Sequence, residues 1–144
     1  MRARPRSRSL RQVLRLSAAE RTAIERRAVD VATEYLTGLG WSVKDVGASQ
    51  SYDLDVRCGD DHLYVEVKGS TSEASEVILT KNEVDLHRRR HPLTMLLVVR
   101  AISLDRGSDP PHASGGRLSE ISPWQIDEEQ LTPIAYRYLI PPTV

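Results

Sequence analysis

The chain has 144 residues, enough for one domain with one apolar core, and no apolar run approaches the roughly 20 residues that span a bilayer. Cys58 is its single cysteine, which excludes an internal disulfide, and four scattered histidines beside it argue against structural zinc. The formal net charge is zero, yet residues 1–27 hold nine arginines against Glu20 and Glu25, a net of +7, and the remainder is −7. That asymmetry points to a polyanion contact through the basic end; the alternative is a solvated arginine-rich terminus.

Residues 1–16 read as a basic, disordered tail without the long apolar run of a secretory signal, so the expected compartment is the cytoplasm. Residues 17–144 read as one domain. Ser17-Ala18-Ala19-Glu20 has the form of a capping box, and a helix should follow with Ile24, Ala28, Val31, Tyr35 and Leu39 as its core stripe. Gly38 and Gly40 end it. Residues 41–46, 52–58 and 62–68 read as strands, the last two joined by the Gly59-Asp60-Asp61 turn as a hairpin. Thr80-Lys81-Asn82-Glu83 repeats the capping-box form and opens a second helix, ended by Pro92. Met95–Val99 is a continuous apolar run, as in a strand buried on both faces. Residues 104–117 read as a mobile loop and 134–140 as a final strand. The order helix, three strands, helix, strand predicts an α/β sandwich around a mixed sheet.

Chemistry concentrates on the hairpin. Side chains alternate along a strand, so Asp53 and Asp55 share one face, and Glu66 and Lys68 share one face. If the strands pair, a carboxylate pair and an ammonium converge. Either aspartate could supply the first acid. The plainer alternative is a salt bridge on a solvated sheet face. No Gly-rich phosphate loop and no Ser-His-Asp ordering competes with this set.

The Asp…Glu-x-Lys arrangement resembles the active-site signature of the PD-(D/E)XK, or restriction-endonuclease-like, superfamily. The chain also resembles a domain of unknown function named after the plant protein NO VEIN and found in bacterial helicase, ATPase and restriction-associated proteins. Four segments carry this: Ile24-Glu25-x-x-Ala28 with Tyr35-Leu36 and Gly40-Trp41; Tyr52-Asp53-Leu54; Val65-Glu66-Val67-Lys68-Gly69; and Leu79-Thr80-x-Asn82-Glu83. Together they span about residues 20–100.

The resemblance implies a restriction-endonuclease-like three-layer sandwich, with a mixed central β-sheet flanked by helices. It implies a Mg²⁺- or Mn²⁺-dependent nuclease cleaving DNA in restriction, defence or repair; the small size of the chain leaves specificity to a homodimer or a larger restriction or helicase partner. It favours Asp53 over Asp55. Asp53 and Glu66 would then be metal ligands with the Val67 carbonyl, and Lys68 would orient or help deprotonate the attacking water. Glu25 would complete the catalytic set from the first helix, or else pair with a neighbouring arginine. Lys81, Asn82, Arg88 and Arg89, on a helix that starts behind the catalytic strand, would contact nucleic acid. The other function class is a non-catalytic nucleic-acid-binding or protein-interaction module that keeps the fold.

Overall fold

The computed structural model describes residues 15–142. Helix α1 (Ala18–Gly38) leads into strands β1 (Ser42–Asp45), β2 (Leu54–Cys58) and β3 (Asp61–Gly69). Helix α2 (Lys81–Arg90) then precedes β4 (Thr94–Asp105) and β5 (His112–Ile121), and a 3-10 turn follows at Glu128–Gln130. The five strands form one mixed sheet in chain order; all neighbours are antiparallel except β3 and β4, which α2 connects as a parallel pair. Most of the basic tail lies outside the described residues.

Both helix starts are capping boxes. The Ser17 hydroxyl accepts from the Glu20 N–H at 3.1 Å while Glu20 accepts from the Ser17 N–H at 3.1 Å. Thr80 and Glu83 repeat the exchange at 3.2 and 3.1 Å. Each exchange satisfies two of the amides that a helix start leaves unpaired.

α1 covers one sheet face with a stripe of Ile24, Ala28, Ala32 and Leu36, packed on Leu54, Val56, Val65, Val67, Leu97 and Val99. The predicted stripe is therefore rotated: Val31 and Tyr35 flank it, and Leu39 is 60 % exposed. Strict i, i+4 spacing puts the two alanines against the sheet and lets the helix come close. At Gly69 a Cβ would stand 2.8 Å from Ala28 Cβ. The opposite sheet face carries a smaller apolar cluster of Leu96, Val98 and Trp124, with Val77, Leu79 and Ile126 packed against it. α2 shares that face, since His87 lies against both Trp124 and Glu66. The result is an α/β sandwich: one helix on each face of a five-stranded mixed sheet.

Two expectations fail. The segment read as a loop over 104–117 is mostly strand, with only residues 106–111 joining β4 to β5. Its Ser, Gly and Arg content suits an edge strand with much of its surface in water, while Ala113 and Leu118 reach the core. Conversely, 134–140 forms no strand: Ile134, Tyr136, Tyr138, Leu139 and Ile140 stand exposed. Alternating apolar side chains make a strand only where a sheet edge accepts them.

Candidate active site

The β2–β3 register pairs Leu54 with Val65 on the α1 face. Continued by one residue, it sets Asp53 opposite Glu66, with both side chains on the α2 face. β2 ends there, and Asp53 completes the ladder with its side chain. Its N–H donates to the Val65 carbonyl at 3.0 Å, its Oδ2 accepts the Val67 N–H at 2.8 Å, and its carbonyl accepts the Val46 N–H at 2.9 Å. A strand residue's N–H and C=O point the same way, so the Val67 carbonyl also faces this edge. Gly47 leaves room for the carboxylate: a Cβ there would come within 3.3 Å of Asp53 Oδ1.

Glu66 is 2 % exposed, and its Oε2 has no hydrogen-bond partner. Burial, followed by the Asp53 charge, pushes its carboxyl up to about 10 although Lys68 opposes the shift. Lys68 Nζ lies 3.3 Å from Glu66 Oε1 and donates to Glu83 at 3.2 and 3.4 Å. Burial works against the ammonium, but Glu66 and Glu83 outweigh it and raise its pKa above the ordinary value. Lys68 therefore stays charged. Burial also disfavours the Glu83 carboxylate, yet Lys68 and hydrogen bonds with Glu66 and Thr80 hold it below the usual range.

His87 is fully buried, with Nε2 3.4 Å from Glu66 Oε2 and its ring 4.6 Å from that of Trp124. Neither ring nitrogen makes a hydrogen bond, so the close pair is an electrostatic contact without hydrogen-bond alignment. Burial drives the imidazole down to about 4, which keeps it neutral.

Asp53, Glu66, Val67 and Lys68 line one cavity of about 860 Å³, and Glu25, exposed on α1, and Asn82 border it too. Asp55 shares the sheet face but is occupied elsewhere. It accepts from Tyr52 at 2.6 Å and Arg57 at 2.8 Å and pairs with His62 at 2.8 Å. Burial is overridden by these partners, which hold Asp55 well below the usual carboxylate range. The α2 cations lie outside the cavity. Lys81 pairs with Asp85 at 2.6 Å and Arg88 with Glu128 at 2.6 Å, while Arg88, Arg89 and Asn82 border a separate depression with Ser51.

Sequence reading missed Glu83 and His87 as parts of this site. Glu83 has its cap as a local explanation, and His87 is one of four histidines whose spacing suggests no site. The usable signal was their i, i+4 spacing, which puts both on one face of α2.

Fold and site define an α/β domain with a buried acid–lysine cluster at the end of a hairpin. Residues 24–110 match the family described as Protein NO VEIN, C-terminal, and the chain belongs to that family. No curated protein and no solved structure matches it closely enough to count as a relative.

Proposed function

We propose that this protein is a nuclease of the restriction-endonuclease-like type, hydrolysing phosphodiester bonds in DNA with Mg²⁺ or Mn²⁺. The observation that carries the reading is Glu66, a buried acid with an unpartnered oxygen, facing Asp53 and beside an ammonium. Buried acids without protein partners are costly unless something else meets them. Oxygen donors suit a hard divalent ion. Among the described residues no three His, Cys, Asp or Glu groups are arranged around one point. Asp53, Glu66 and the Val67 carbonyl would thus hold the ion with water completing its shell, as Mg²⁺ commonly requires.

When bound, such an ion supplies charge stabilisation and a more acidic water. The protein does the rest. Asp53 is fixed by three main-chain bonds, so its carboxylate is placed before ligand arrives. Lys68, paired with the Glu83 carboxylate, donates to the attacking water or to the phosphate oxygen where charge develops. As an ammonium it orients and stabilises; it does not accept the proton. Glu25 borders the cavity from α1. Asn82 and Arg89 would contact the strand directly, and Lys81 and Arg88 only after Asp85 and Glu128 yield.

A second reading, a protein-interaction module without catalysis, draws on the exposed Ile134, Tyr136, Tyr138, Leu139 and Ile140. One experiment separates the two. Purified protein is incubated with duplex and single-stranded DNA, with Mg²⁺, Mn²⁺ or chelator. Divalent-dependent cleavage lost in both Lys68→Ala and Glu66→Ala, with folding intact, is the expected result. Cleavage undiminished in these variants would mean a contaminant or another site, and no cleavage at all leaves the interaction module.

A further inference from the structure

We propose that Glu83 and His87 are positioning residues, through which α2 grips both members of the Glu66-x-Lys68 pair. The proposal rests on the nuclease reading for its catalytic consequence but not for its geometry. Glu66 and Lys68 are two apart on β3 and project from one face; Glu83 and His87 are one turn apart on α2 and face them. Glu83 holds Lys68 Nζ at 3.2 Å and also engages Glu66, and His87 Nε2 stands 3.4 Å from Glu66 Oε2. Trp124 backs the His87 ring at 4.6 Å.

Helix capping accounts for only part of Glu83. The Thr80 N–H engages Glu83 Oε1 at 3.1 Å, while Lys68 reaches both carboxylate oxygens. One side chain thereby ties the start of α2 to the strand that carries the acid. For His87, no ordinary core role explains a fully buried imidazole with both nitrogens unbonded. A neutral imidazole offers one N–H, and Glu66 Oε2 is the acceptor within reach. Groups that orient a metal-ligating side chain typically change metal affinity or activity by roughly 10–100-fold when removed.

The test uses the full chain and five variants. Glu83→Gln keeps a capping box, which accepts Gln as well as Glu, but removes the charge facing Lys68. His87→Leu removes the donor, and His87→Gln restores an N–H near the same point. Mn²⁺ affinity is measured by calorimetry, kcat and KM on short duplex DNA, and thermal unfolding in parallel. The expected result is at least tenfold weaker Mn²⁺ binding for His87→Leu, recovered in large part by His87→Gln. Glu83→Gln should lower kcat about tenfold or more with KM little changed, in a protein that remains folded at the assay temperature. Wild-type Mn²⁺ affinity and kcat in folded Glu83→Gln and His87→Leu would overturn the proposal. If His87→Leu does not fold, Glu83→Gln and His87→Gln decide. If the wild type neither binds Mn²⁺ nor cleaves DNA, the nuclease reading fails by itself. The clamp is then read from unfolding temperatures of Glu83→Gln, Lys68→Met and the double variant. Non-additive shifts uphold it, and additive shifts overturn it.

Discussion

Replacing Glu66 with Gln should stabilise the protein increasingly as pH rises. The ordinary carboxyl value is 4.5, and in the fold burial and the Asp53 charge raise Glu66 to about 10. An acid with a raised folded pKa behaves oppositely to a salt-bridged one. Below 4.5 both folded and unfolded chains hold the proton, and its contribution is complete. Between 4.5 and about 10 only the folded chain holds it, so folding takes up a proton and stability falls with rising pH. The slope is about 1.4 kcal/mol per pH unit, and from 4.5 to pH 7 it amounts to about 3 kcal/mol. That figure needs only a folded value above 7. Gln has no such slope. His87, neutral down to about 4, adds the opposite slope between 4 and 6.5. It is present in both proteins, so the difference between their curves isolates Glu66. Urea unfolding at half-unit steps from pH 5 to 8.5, without divalent ions, gives the two curves. They should diverge, with Glu66→Gln the more stable at pH 8. Parallel curves would falsify the claim that Glu66 is folded in its protonated form. Added Mg²⁺ should flatten the wild-type slope and leave the Gln variant untouched, because an ion held by the carboxylate replaces the proton.

Gly69→Ala should destabilise the domain by about 1–3 kcal/mol, since its Cβ would meet Ala28 Cβ at 2.8 Å and both Ile102 and Ile24 within 3.3 Å. Adding Ala28→Gly should recover part of the loss, and denaturant midpoints of the two variants check it. Deleting residues 1–14 removes five arginines and should flatten the log–log salt dependence of DNA binding by up to about 4.5, at about 0.9 for each duplex phosphate neutralised. An unchanged slope in a fluorescence titration would make that segment a solvated terminus.

Much of this architecture was legible in one dimension because its signals are local. Ser17/Glu20 and Thr80/Glu83 mark helix starts through bonds that span three residues. Gly59 in its turn, and the alternation around it, mark a hairpin whose register then follows. That register sets Asp53 opposite Glu66, so the acid pair and Lys68 could be named from parity. Other features depended on neighbours far along the chain. Asp53 and Asp55 are equivalent by parity, and only the partners of Asp55, at Tyr52, Arg57 and His62, take it out of the site. Residues 112–121 are too polar to announce a strand, and the edge of β4 recruits them through main-chain bonds that no side-chain pattern records. Residues 134–140 alternate well and pair with no strand among the described residues. Glu83 and His87 carry a sufficient local explanation and a misleading one, respectively. Their place beside Glu66 and Lys68 follows from how α2 settles on the sheet, with His87 against Trp124. Sequence determined the chemistry of the strand, and tertiary packing decided which groups stand around it, because burial and charge proximity are properties of contacts and not of residues.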